Sequence, residues 1–115
     1  MISSPEEARL LLNKWRSEAV RLVAFITTFP SPPADLVIRL DGFVTAITER
    51  GESGAVIFES GENFIMFRLS EVIEYKESVE MSADLPQLMA REKQRWRAAL
   101  CLSYSHTTLV FCENV

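Results

Sequence analysis

The fold is most clearly predicted by residues 55–69, which read AVIFESGENFIMFRL. Two runs of alternating side chains, 55–59 and 63–69, flank a short polar segment that contains Gly61. This arrangement is typical of two antiparallel strands joined by a tight turn over residues 60–62. The sequence therefore predicts a β-hairpin in the middle of the chain.

Both faces of the second strand of this hairpin are mostly apolar. One face carries Phe64, Met66 and Arg68, and the other carries Ile65, Phe67 and Leu69. Because apolar side chains on both faces need cover on both, we expect a helix to pack on one face. The other face should be covered by a second protein chain or by closure of the sheet into a barrel.

The N-terminal segment predicts a long helix over residues 5–28. Ser4, Pro5 and Glu7 fit an N-cap, a proline at the first helical position and a capping box. An apolar stripe at helical spacing follows, and the proline-rich residues 29–33 would end it. Residues 22–26 are apolar on nearly all sides, so we expect this end, with Phe25 and Phe29, to be deeply buried or to form an association surface.

The remaining segments predict mainly strands. A strand over residues 35–48 contains Gly42, which is typical of a bulge or a sharp bend. Residues 70–79 fit a further bent strand or a short helical turn, and residues 85–89 a short helix. We expect strands over 95–104 and 109–113 around a turn at 105–108, with one long helix over 84–104 as the alternative.

Together these elements predict an α+β fold, in which a long N-terminal helix packs on a bent antiparallel β-sheet or small partly closed barrel. A length of 115 residues with 48% hydrophobic and 24% charged residues fits a single domain over 1–115 and excludes a disordered chain. Apolar runs such as 22–26 are far shorter than the roughly 20 residues that span a bilayer. The N-terminus does not resemble a secretory signal, so we expect a cytoplasmic protein.

Charge argues against broad binding to nucleic acid. Twelve basic and sixteen acidic residues give a net charge of −4. The only basic patch with an aromatic side chain lies at residues 91–97, where Arg95, Trp96 and Arg97 are candidate interaction residues. This patch makes a weak nucleic-acid binder one alternative.

Catalytic and metal-binding patterns are sparse. His106 is the only histidine, and it falls in a predicted turn. Neither a glycine-rich phosphate loop nor a zinc-ligand spacing occurs, so the sequence predicts no catalytic, cofactor-binding or metal residues and no cofactor. With a four-residue loop at 105–108, Cys101 would lie opposite Cys112, as two buried thiols or a thiol pair able to form a disulfide.

The excess of large apolar side chains is the main functional signal. We expect a non-catalytic protein-interaction or self-association module, a homodimer formed through the sheet or through the helix end. The competing interpretation is a small-molecule or lipid-binding domain with an interior apolar pocket in a β-barrel-like sheet.

Overall fold

The computed structural model describes residues 4–28, 37–48, 54–76 and 96–114, which form one helix packed on one antiparallel sheet of seven strands. The elements are α1 (Pro5–Ser17), β1 (Leu22–Thr28), β2 (Val37–Ile47), β3 (Ala55–Ser60), β4 (Asn63–Arg68), a 3-10 turn (Leu69–Glu71), β5 (Glu74–Lys76), β6 (Trp96–Ser103) and β7 (Thr107–Asn114). The strand order is β4-β3-β2-β1-β7-β6-β5, and the sheet curls into a half-barrel. The predicted α+β class with a bent antiparallel sheet is confirmed. The predicted helix over 85–89 lies outside the described residues.

Helix α1 begins as its sequence predicts. The hydroxyl oxygen of Ser4 accepts a hydrogen bond from the N–H of Glu7 at 3.3 Å. Pro5 occupies the first helical position, and Glu6 and Glu7 lie in the first turn, where the helix dipole favours negative charge.

The end of α1 differs from the prediction, because the helix stops at Ser17. Ala19 adopts a φ of 49°, and the N–H groups of Ala19 and Val20 donate back to the carbonyls of Arg16 and Trp15 at 3.3 and 3.0 Å. These two bonds define a Schellman end, in which alanine occupies the left-handed position that glycine usually takes. The predicted helix to residue 28 is therefore wrong.

The apolar run after this turn is a central strand. β1 pairs with β2 on one side and with β7 on the other. Its alternate residues are buried in two different apolar clusters, Leu22 and Ala24 in one and Val23 and Phe25 in the other, so its side chains are covered on both faces of the sheet. Residues 22–26 are apolar on all sides for this reason, and the same pattern fits a buried helix end equally well.

Strand β2 changes its partner at Gly42. Residues 37–42 pair with β1, and residues 43–47 pair with β3. A side chain at Gly42 would overlap the carbonyl of Glu59, so only glycine allows the backbones of β2 and β3 to approach this closely. The irregularity that the structure shows in β2 is a register shift between Val44 and Ala46, and a bulge or bend at Gly42 itself stays a prediction.

The main core lies between α1 and the inner face of the curled sheet. Its centre is Phe111 of β7, whose ring contacts Trp15, Phe58 and Phe67 at centroid distances of 6.2, 5.5 and 5.4 Å. The indole N–H of Trp15 donates to a carboxylate oxygen of Glu113 at 2.7 Å, which satisfies the one polar group that the helix brings into this core.

A second apolar cluster lies on the opposite face of the sheet, across β1, β6 and β7. Its buried members are Val23, Phe25, Cys101, Val110 and Cys112. The central strands are thus buried on both faces, whereas the hairpin β3–β4 at one end of the sheet contributes only to the main core.

The C-terminal hairpin confirms the predicted strands within 96–114 and excludes the alternative long helix for residues 96–103. Its loop is shorter than predicted. Ser103 pairs with Thr108, and the N–H of Tyr104 donates to the carbonyl of Thr107 at 2.7 Å, which leaves only residues 105 and 106 in the turn. Thr107 and Thr108 continue the strand because β-branched residues suit a paired extended backbone.

Within these described segments, no helix has both the length and the apolar character needed to cross a membrane.

Candidate association surface

Large apolar side chains are exposed on the outer face of the β3–β4 hairpin. Because directly opposite residues of antiparallel strands share a face, Glu59 lies between Phe43 and Phe64, and Ile57 lies beside Met66. The exposed fractions are 66% for Phe64, 56% for Met66 and 42% for Phe43. We call this surface the hairpin face, and it consists of Phe43, Ile57, Glu59, Phe64, Met66 and Arg68.

The alternation of β4 explains why these side chains point outward. Ile65 and Phe67 face the main core, and Phe67 packs against Phe111. Since successive side chains of a strand point to opposite faces, burial of these two residues places Phe64 and Met66 on the outer face. The sequence shows that both faces are apolar, and the structure shows which face lacks cover.

Strand β4 lies at one end of the strand order, and β3 is its only strand partner among the described residues. The N–H and C=O of Ala55 both bond to Thr48 on the β2 side. Ala55 and Arg68 therefore form a non-hydrogen-bonded pair. Because the two kinds of pair alternate along a ladder, the backbone groups of Phe64, Met66 and Arg68 point away from β3.

Opposite charges lie at the two ends of β4. Glu62 immediately precedes the strand, and Arg68 is its last residue, and both side chains are exposed. Between them the outer face is apolar apart from Glu59 on the neighbouring strand. A strand with this order of charges is electrostatically complementary to an antiparallel copy of itself.

An open cavity of about 450 Å³ lies beside β4, at the mouth of the half-barrel. Its walls include Ile26, Ile65, Phe67 and Leu109, together with Tyr104. A volume of this size lies within the range of small-molecule pockets. The cavity is thus the feature that best fits the predicted alternative of a small-molecule or lipid binder.

Tyr104 connects the C-terminal hairpin to β4 across this mouth. Its hydroxyl donates a hydrogen bond to the carbonyl oxygen of Arg68 at 3.0 Å. Burial, followed by the neighbouring Tyr75 and Glu71, raises the pKa of Tyr104 above its ordinary value of 10. The hydroxyl therefore keeps the proton that it donates.

The interaction residues named from sequence are not brought together as one exposed surface. Phe25 is 2% exposed and lies in the second cluster, against which the partly buried Trp96 also packs. The guanidinium of Arg97 lies 3.5 Å from the carboxylate of Glu113. Phe29 and Arg95 lie outside the described residues.

The expected pairing of the two cysteines is wrong, because the turn is two residues shorter than predicted. A register shift between Ala98 and Leu100 then displaces the partner of Cys112 by one further residue. Cys101 lies opposite Val110, and Cys112 lies opposite Ala98. Both cysteines are buried as thiols in the second cluster.

Other groups with catalytic potential are dispersed. His106 is exposed in the turn before β7. Among the residues that the structure describes, no three histidine, cysteine or acidic side chains cluster in a way that could hold a metal ion.

Comparison of the chain with protein-family models, curated proteins and solved structures finds no match.

Proposed function

We propose that the chain is a non-catalytic association module that binds through the hairpin face and forms a homodimer. The observation that supports this proposal is the exposure of Phe64 and Met66 side by side on the outer face of a terminal strand. Exposed apolar patches on a sheet edge mark association sites. A partner there removes apolar side chains from water and gives the edge backbone groups hydrogen-bond partners. Two buried thiols also fit the reducing cytoplasm as its compartment.

Phe64 and Met66 are large enough for their burial to stabilise a dimer. Complete burial of an exposed phenylalanine or methionine side chain is worth about 1.5–3 kcal/mol. Phe64 and Met66 are each more than half exposed. In a symmetric dimer both copies cover these two residues, so the burial of several large side chains contributes to the free energy of association. Interfaces of this kind depend on a few central apolar residues, which are the first targets for mutation.

Sedimentation velocity over a wide range of protein concentration tests this proposal. We expect wild-type protein to form a dimer, and Phe64→Ser and Met66→Ser to shift it strongly toward monomer. Leu10→Ser is the matched control, because Leu10 is 71% exposed on α1, away from the hairpin face. A wild-type protein that stays monomeric throughout, or a dimer that Phe64→Ser leaves intact, would contradict the proposal.

The cavity beside β4 supports a second candidate function, binding of an apolar small molecule or lipid. Native mass spectrometry of gently purified protein separates the two candidates. A dimer without added mass favours association, whereas a monomer that carries a reproducible small mass favours the pocket. Replacement of Leu109, which lines the cavity, by Trp should then remove the added mass.

A further inference from the structure

Face alternation limits how a second strand can extend the sheet at β4. At every second residue of β4 the side chain lies on the outer face of the sheet, and the backbone N–H and C=O point away from β3. These residues are Phe64, Met66 and Arg68. A slip of one residue would place the outer side chains of an added strand on the inner face of the sheet. For two antiparallel copies of β4 that overlap by at least three strand residues, the two-fold axis must therefore pass through Phe64, Ile65, Met66 or Phe67. An axis at Phe67 would pair Met66 with Arg68 and need the Arg68 carbonyl, which is already bonded to Tyr104, so three positions remain.

An axis at Met66 conflicts with a hydrogen bond in the structure. It would place Phe64 opposite Arg68 of the second copy, and this pair would need the backbone groups of Arg68. The Arg68 carbonyl already accepts a hydrogen bond from Tyr104 on that side of β4.

An axis at Phe64 gives poor side-chain partners. Met66 would lie opposite Glu62 of the second copy, and Arg68 opposite Ser60. This register places the apolar side chain of Met66 opposite a carboxylate and places Arg68 opposite a serine of the second copy, so no opposite charges meet between the two strands.

An axis at Ile65 confines the backbone pairing to Phe64 and Met66. Glu62, which faces Arg68 in this register, belongs to the turn before β4, so this pair meets through its side chains and the Arg68 carbonyl keeps its bond to Tyr104. Phe64 then lies opposite Met66 of the second copy, and by symmetry Met66 lies opposite Phe64, so two sulfur–aromatic contacts form. Each of these pairs exchanges both of its backbone hydrogen bonds, and neither uses the carbonyl of Arg68. Glu62 lies opposite Arg68 of the second copy at both ends of the paired strands.

We propose that two copies of this chain join their β4 strands antiparallel about a two-fold axis at Ile65, with Glu62 of each copy opposite Arg68 of the other. This inference rests on the proposed function, because it names the partner of the hairpin face and the register of the contact. The added strand continues the sheet and places Phe64 and Met66 of each copy beside Met66 and Phe64 of the other on the outer face.

Charge reversal tests the register by sedimentation velocity at low salt. Glu62→Arg and Arg68→Glu each place like charges opposite one another at two symmetric sites, so each should weaken the dimer roughly tenfold. The double variant restores opposite charges and should recover the wild-type dissociation constant. An equimolar mixture of the two single variants should also associate, because each copy then supplies the charge that the other needs.

Cysteine cross-linking provides a second measurement. Copies with Phe64→Cys mixed with copies with Met66→Cys should form a disulfide heterodimer, because opposite residues of a hydrogen-bonded pair lie about 5.5 Å apart between Cα atoms. Each variant alone should cross-link much less. Preferential cross-linking of Met66→Cys with itself would indicate the axis at Met66 and overturn the inference, and self-linking of Phe64→Cys would do so for the axis at Phe64.

The wild-type protein and Phe64→Ser separate failure of this inference from failure of the proposed function. If wild-type protein is dimeric and Phe64→Ser is not, the proposed function stands. Absence of charge rescue in variants with wild-type circular dichroism would then overturn the Ile65 register alone. If wild-type protein is monomeric at every concentration, both proposals fail.

Discussion

Substitution of Ala19 by glycine should stabilise the protein, although it adds nothing to the core. Ala19 holds a φ of 49° at the end of α1, and this left-handed conformation costs a residue with a Cβ about 1–2 kcal/mol. Glycine avoids that cost. However, glycine has more conformational freedom in the unfolded chain, and the loss of this freedom on folding offsets about 0.4–1 kcal/mol of the stabilisation. We expect a net gain of about 0.5–1 kcal/mol in the free energy of unfolding. For a chain of 115 residues this gain raises Tm by roughly 2–4 °C.

Chemical denaturation followed by circular dichroism measures this change, and Lys14 supplies the control. Lys14 is exposed inside α1, where Lys14→Gly should be about 1 kcal/mol less stable than Lys14→Ala. The two glycine substitutions, five residues apart, are thus expected to have opposite signs. If Ala19→Gly destabilises the protein as Lys14→Gly does, the Schellman end is refuted, and with it the boundary between α1 and β1.

Three further predictions follow from individual contacts. Gly42→Ala should lower the free energy of unfolding by at least about 2 kcal/mol, because the added Cβ overlaps the β3 backbone; denaturant titration measures the loss. The raised pKa of Tyr104 means that the folded state holds its proton more tightly than the unfolded state, so this contribution is complete below pH 10 and is lost as pH rises further. Thermal unfolding above pH 10 should show a shallower pH dependence for Tyr104→Phe than for wild-type protein. Cys101 and Cys112 should react with a soluble thiol reagent only at the rate of unfolding, because both are buried.

Each of these predictions has a contrary result. Gly61→Ala is the control for Gly42→Ala, because a Cβ at Gly61 would meet no atom within 4 Å. Its free energy of unfolding should fall only by the cost of placing alanine at a φ of +60°. Equal losses at the two glycines would argue against the close approach of β2 and β3. An unchanged pH dependence in Tyr104→Phe would place the hydroxyl in solvent. Fast labelling of the native thiols would show that the second cluster is accessible.

Much of the fold can be predicted from local patterns. The turn at Gly61 and the strands on either side of it are encoded in neighbouring residues, and so is the N-cap of α1 at Ser4. The boundary after Ser17 was hidden for two reasons. A glycine would have signalled the helix end, but Ala19 occupies that position. The following apolar run also fits both a buried helix and a central strand.

The hairpin face could be predicted only in part. The alternation of β4 shows that both of its faces are apolar, but the curvature of the whole sheet decides which face receives α1 and which faces solvent. The pairing of Cys101 failed for a related reason. The turn is two residues shorter than expected, which displaces every partner along the hairpin by two residues, and the register shift in β6 displaces the partners beyond Leu100 by one more.

The position of β1 between β2 and β7 has a consequence for synthesis on the ribosome. β1 spans Leu22–Thr28, and its second neighbour spans Thr107–Asn114, so the middle of the sheet pairs segments from opposite ends of the described chain. Phe111, on which the rings of the main core converge, also belongs to that late strand. The hairpin β3–β4 can form as soon as it emerges, whereas the core closes only after β7 has left the exit tunnel. Until then the nascent chain exposes the edge of β1 that later pairs with β7 and the apolar inner face of the half-barrel, a combination that favours aggregation of partly folded chains.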